Sequence, residues 1–195
     1  ICNENGIVKF KEVKKIIKFC ELKKINSIDT AQGYGKSHKV LGSINLKKFQ
    51  ITTKISKIVE KQNQDIEKTI ISQIDRNFKD LGVKNVYGLL IHNTNSLKGK
   101  LGSNFYKTLQ KLKKEKKFIK LGVSVYTKKE LNFVLKNFNI DIVNLPISIA
   151  NQEFCKNDYL LKLKKKNIEI HVRSIFLQGL LSSKCWIKLP HPLQR

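Results

Sequence analysis

Gly88-Leu89-Leu90-Ile91-His92-Asn93 is an apolar, β-prone run that stops at a histidine. Asn26-Ser27-Ile28-Asp29 stops at a carboxylate in the same way, and Ile51-Thr52-Thr53-Lys54 stops at an ammonium. Consecutive apolar residues suit a strand buried on both faces, and a polar residue where the run ends is what a parallel barrel strand delivers to its carboxyl end.

The rhythm extends along the chain. Strands are expected at Ile25–Thr30, Gln50–Lys54, Val86–His92, Ile119–Ser124, Ile142–Leu145 and Ile168–Ser174. Helical periodicity fills the gaps, at Lys11–Lys24, Lys36–Gly42, Gln64–Leu81, Ser103–Lys114, Lys128–Asn137 and Asn157–Lys166. Alternating strand and helix imply a parallel sheet covered by helices, either an open doubly wound sheet or a closed barrel. No Gly-x-Gly-x-x-Gly follows any strand, which removes the dinucleotide fingerprint of the open sheet. The expected fold is therefore an α/β protein, a (β/α)8 TIM barrel of which about six strand–helix units are present. Such barrels typically need about 250 residues, and the chain has 195, with no Met. The expectation is a single barrel domain over residues 1–195, truncated by one strand at each end.

A hydrophobic content of 41% is enough to build a core. The formal charge of +24 comes almost wholly from Lys, since Arg76, Arg173 and Arg195 are the only arginines. Base readout and bidentate phosphate contacts favour the guanidinium, so nucleic acid is not an expected partner. The runs at 111–117 and 162–166 close predicted helices, where the dipole favours cations. Cysteines 2, 20, 155 and 185 are scattered, without Cys-x-x-Cys or a nearby His at ligand spacing. Reduced thiols, with Cys20 in the core, and no metal site are expected. There is no long apolar span and no signal-peptide pattern at the first residues, which points to a cytoplasmic protein without membrane association.

Asp29, Tyr34, Lys54 and His92 combine an acid, a phenol, a cation and an imidazole. A phenol is a poor acid at neutral pH unless a cation sits beside it, and a buried cation needs a carboxylate to stay charged. Each residue alone has a plainer reading: a solvated Lys, a loop aromatic, a helix-capping Asp, a His bonded to a carbonyl. Four of them in order, three at strand ends, favour a proton donor.

In that order the segments Ile28-Asp29-Thr30-Ala31, Tyr34-Gly35, Thr53-Lys54 and Leu89-Leu90-Ile91-His92 resemble the catalytic segments of the aldo/keto reductase family. Ile119–Ser124 is similar to its Gly-Val-Ser segment, and Arg173-Ser174-Ile175-Phe176-Leu177-Gln178-Gly179-Leu180-Leu181 to its Ser-Pro-Leu-Gly-Gln-Gly-Leu-like turn. The resemblance implies reduction of an aldehyde or ketone by hydride from NADP, with NAD left open. In those terms Tyr34 is the general acid, Lys54 assists it, Asp29 holds Lys54 and His92 bonds the carbonyl oxygen. Ser124, Asn144, Arg173, Ser174, Phe176, Gln178 and Gly179 fall at cofactor-binding positions. Three positions depart from the common pattern: Val125 stands for an Asn, Asn144 for a Gln, and Arg173 for a ring-stacking Tyr. These departures keep open a second reading, a catalytically inactive barrel that binds cofactor. The stretch Asn93–Gly102 is read as short, polar and flexible, without an apolar wall, so a small polar or sugar-like carbonyl is expected.

Overall fold

The computed structural model describes residues 8–56, 65–177 and 181. Six strands form one sheet: β1 (Ser27–Asp29), β2 (Gln50–Ile55), β3 (Val86–Ile91), β4 (Phe118–Ser124), β5 (Ile142–Pro146) and β6 (Glu169–Arg173). They lie side by side in chain order and every pair is parallel. Helix α1 (Phe10–Leu22) precedes β1. The crossovers carry α2 (Ser37–Gly42), α3 (Ile66–Leu81), α4 (Gly99–Lys114), α5 (Lys128–Asn137) and α6 (Tyr159–Lys165). These are six strand–helix units of a (β/α)8 barrel, as the sequence predicts.

Local chemistry fixes the helix ends. Asp65 caps α3 by accepting from the Lys68 amide, and Gly82 closes it in the left-handed conformation at φ 65°. Thr127 and Glu130 form a reciprocal capping box at the start of α5. Helices α4 and α6 end in lysines, as expected.

The hydrophobic core lies between sheet and helices. Ile51 and Ile55, Leu89 and Ile91, Leu121 and Val123, and Val143 and Leu145 alternate along β2–β5 and pack with Ile70, Ile74 and Phe78 of α3, Phe105, Leu109 and Leu112 of α4, and Leu131 and Val134 of α5. Cys20 is half-buried at the margin of this core, not inside it. The register places the intervening residues on the opposite face. Thr52 pairs Gly88, Lys54 pairs Leu90, Ser124 pairs Asn144, Asn144 pairs His171 and Pro146 pairs Arg173.

The sheet curls around that second face. Three strand spacings of about 4.8 Å separate β3 from β6 in a flat sheet, yet the Tyr87 hydroxyl donates to Glu169 Oε2 at 2.5 Å. Lys120 of β4 joins the same oxygen at 2.5 Å, and His171 meets Glu169 Oε1 at 2.7 Å. Tyr87, Lys120 and Glu169 stand early in their strands and, with His171 of mid-β6, form a polar floor inside the curl.

One expectation fails after β3. Asn93–Gly102 is not a flexible loop. Asn93 accepts from the Asn95 amide and starts a 3-10 turn, Thr94–Leu97, with Thr94 and Leu97 buried. Gly99 then turns at φ 69°, and α4 begins there, four residues before its predicted start. Gly102 explains the tight turn: a Cβ on it would lie 2.1 Å from the Leu97 carbonyl carbon.

Candidate active site

The candidate residues gather at the carboxyl end of the strands. Asp29 is the last residue of β1, Lys54 lies one short of the end of β2, and His92 directly follows β3. Tyr34 stands in the turn between β1 and α2, held by its amide bond to the Ala31 carbonyl at 3.0 Å.

Lys54 is 1% exposed, so its charge must be met inside the protein. Its ammonium donates to both Asp29 oxygens, at 2.8 and 2.6 Å, and to the Thr30 carbonyl oxygen at 3.0 Å. The same ammonium lies 5.0 Å from the centroid of the Tyr34 ring. The Tyr34 ring, half-exposed, meets the His92 imidazole edge to face with centroids 6.2 Å apart. All four residues named from the sequence thus share one cluster.

Burial lowers the His92 pKa from its ordinary value, and the Lys54 and Arg173 cations add to the effect, while Asp29 opposes it. His92 is therefore neutral at pH 7, with one N–H to give and one nitrogen to accept.

Behind Lys54, Thr53 points the other way, toward α2, where its Oγ1 lies 3.0 Å from His38 Nε2. His38 is 4% exposed. Burial lowers its pKa, Asp80 opposes this and Lys54 reinforces it. Sequence reading missed this contact. The signal available was Thr53 beside Lys54, a polar residue on the apolar side of a strand.

Ser124, the last residue of β4, and Asn144, the middle residue of β5, are buried cross-strand neighbours, and Asn144 Oδ1 has no hydrogen-bond partner among the described residues. Arg173 ends β6. Its Nη2 donates to the Val125 carbonyl oxygen at 2.8 Å, and its guanidinium covers the Tyr126 ring at 4.1 Å. After it, Ser174 and Leu177 take left-handed conformations at φ 63° and 47°, and the turn is closed by the Leu177 amide on the Ser174 carbonyl at 3.0 Å. Phe176 is exposed on this turn. Gln178 and Gly179 lie outside the described residues. No group of His, Cys, Asp and Glu able to hold a metal ion, and no helix long and apolar enough to cross a membrane, occurs among the described residues.

The family model described as "Aldo/keto reductase family" matches residues 3–190. Similar solved structures include the holo form of the aldo-keto reductase AKR11C1 from Bacillus halodurans, with a TM-score of 0.75 and 17% identity over 94% of this chain and 62% of that one. A Pseudomonas aeruginosa protein assigned as an aldo-keto reductase, PA4992, gives 0.71 and 20% identity over 87% of this chain and 69% of that one. The Bombyx mori aldo-keto reductase AKR2E4, solved in complex with NADP, gives 0.66 and 14% identity over 88% and 59%. The chain thus spans roughly three fifths to two thirds of the length of these relatives. No match is found among curated proteins.

Proposed function

The chain belongs to the aldo/keto reductase family, and from that premise we propose that it reduces an aldehyde or ketone to an alcohol, using NADPH or NADH and Tyr34 as the proton donor. The observation that carries this reading is the buried Lys54, charge-paired with Asp29 and 5.0 Å from the Tyr34 ring. As the phenol gives up its proton, the adjacent ammonium stabilises the charge left on oxygen. The paired Asp29 keeps that ammonium in place and ionised. Neutral His92 supplies an N–H toward a carbonyl oxygen held beside Tyr34, which orients the substrate without competing as the acid.

The residues toward the cofactor fit a nicotinamide. A carboxamide offers both an N–H donor and a C=O acceptor, and the partnerless Oδ1 of Asn144 beside the Ser124 hydroxyl can meet both. The left-handed Leu177 is a second support. A leucine there costs about 1–2 kcal/mol, and such strain concentrates at ligand clamps. Arg173, Ser174 and Phe176 border this turn. A bound nicotinamide would supply the hydride, and Ser124 and Asn144 would hold its amide.

The test is nicotinamide oxidation by the full-length gene product with a panel of aldehydes and ketones, wild type against Tyr34→Phe. Loss of about 10² to 10⁴ in kcat, with the NADPH Kd retained, supports the assignment. Equal turnover by Tyr34→Phe removes Tyr34 from it, and NADPH binding without turnover in wild type leaves a non-catalytic barrel.

A further inference from the structure

Two cations act on His92, Lys54 and Arg173, and they differ in how their charge is met. Lys54 is paired with Asp29, whereas Arg173 makes no salt bridge among the described residues. Its guanidinium bonds only a carbonyl oxygen, that of Val125, and its Nε is buried without a partner. A guanidinium carries five N–H donors, and here a single bond, to Val125, is made among the described residues. Stacking on Tyr126 fixes the plane of the fork, so its orientation is set before any ligand arrives. Its position is equally fixed, at the end of β6 and opposite Pro146 in register. Its charge is felt at His92, where it is one of the causes holding the imidazole neutral. The chain as a whole carries +24, a field that draws anions toward any open cleft.

A preoriented guanidinium with no carboxylate partner among the described residues is suited to take a carboxylate or phosphate. We propose that Arg173 anchors an anionic oxygen group on one of the bound reactants, so that the site prefers a carbonyl substrate bearing a carboxylate or phosphate, or holds a phosphate of the cofactor. The inference rests on the reductase reading above. It adds a charge requirement to a cluster in which Lys54 is already paired with Asp29 and His92 is neutral. Arg173 would position the reactant and takes no part in proton transfer, which falls to Tyr34.

The experiment gives the full-length protein neutral and anionic probes in pairs: glyceraldehyde against glyceraldehyde 3-phosphate, and butyraldehyde against succinic semialdehyde. The ratio of kcat/KM, anionic over neutral, is measured in wild type, Arg173→Gln and Arg173→Lys. Alongside, calorimetry gives the Kd of NADPH and of NADH, and thermal melts establish that each variant is folded. A hydrogen bond to a charged group corresponds to a change of about 10- to 100-fold. With the anion on the substrate, the wild-type ratio exceeds one, falls by that factor in Arg173→Gln and partly returns in Arg173→Lys. With the anion on the cofactor, the substrate ratio stays fixed and the Kd of both dinucleotides rises in Arg173→Gln, with recovery in Arg173→Lys. A wild-type ratio at or below one, together with unchanged dinucleotide affinity in folded Arg173→Gln, overturns the proposal while leaving turnover of neutral carbonyls, and so the reductase reading, intact. Absence of turnover on every probe counts against the reductase reading, and calorimetry of the dinucleotides then decides for or against the anchor by itself.

Discussion

Lys54 and Asp29 share an ion pair of 2.6 Å but not an environment: the lysine side chain is 1% exposed and the aspartate 36%. The two ends of the pair are therefore unequal. Asp29→Asn leaves a buried ammonium with a carbonyl oxygen and an amide for company, whereas Lys54→Met leaves a carboxylate that water already reaches. Removing one partner of a fully buried pair costs about 3–5 kcal/mol, and the exposure of Asp29 reduces this to about 2 kcal/mol for Asp29→Asn. Lys54→Met is expected to cost less, because the methionine fills similar volume without a charge. Urea melts of both variants check the order. Equal losses, or a larger loss for Lys54→Met, contradict it.

His38 and His92 are both held neutral by burial. A histidine whose folded pKa is depressed binds fewer protons than the unfolded chain just below about pH 6.5, so stability is full above that value and declines as pH falls from it toward the folded pKa. Denaturation at pH 7.5 and 5.5 should show lower stability at the acid end. The double variant His38→Gln, His92→Asn should show a smaller difference between the two. An unchanged difference would assign the slope to other groups.

Gly122 has no room for a side chain. A Cβ there would sit 1.9 Å from the Ile142 carbonyl oxygen, in the neighbouring strand. Gly122→Ala must push β4 from β5, at a cost of about 1–3 kcal/mol or more, and Ser124 and Asn144 lie two residues along the same strands. The expected result is a lower melting temperature together with weaker dinucleotide binding. Gly35→Ala, at φ 58° with nothing within 4 Å of the new Cβ, should cost only the left-handed penalty of about 1–2 kcal/mol.

The floor of the curl depends on one carboxylate. Glu169 accepts from Tyr87 and lies within hydrogen-bonding distance of Lys120 and His171; burial pushes its pKa up, but these partners together hold it below the ordinary value. Glu169→Gln takes the counter-charge from a half-buried Lys120 and should cost about 1–3 kcal/mol. Because the floor lies toward the amino end of the strands, the Kd of NADPH should stay within about threefold of wild type, a change under 1 kcal/mol. A large rise in Kd would tie the floor to the binding site.

What could be read from the sequence follows from where the physics is local. Strand ends and helix periods depend on neighbours within a few residues, so all six strands were placed to within two residues at each end, and α5 was placed without error. The cluster of Asp29, Tyr34, Lys54 and His92 was legible for a related reason: each apolar run stops at a polar residue, and a parallel register carries those stops to one end of the sheet. The floor was not legible. Tyr87 and Glu169 are 82 positions apart, and nothing in either strand alone marks the other as its partner. The stretch after β3 was misread because its polar composition suggested mobility, whereas Leu97 supplies the buried anchor that fixes it.

Lys54 is the only buried lysine among the described residues of a lysine-rich chain. An amine-reactive reagent would therefore tag the surface lysines quickly and reach this one only when the sheet's carboxyl end opens. The slow phase of its labelling becomes a clock for that opening, readable peptide by peptide without substrate or cofactor.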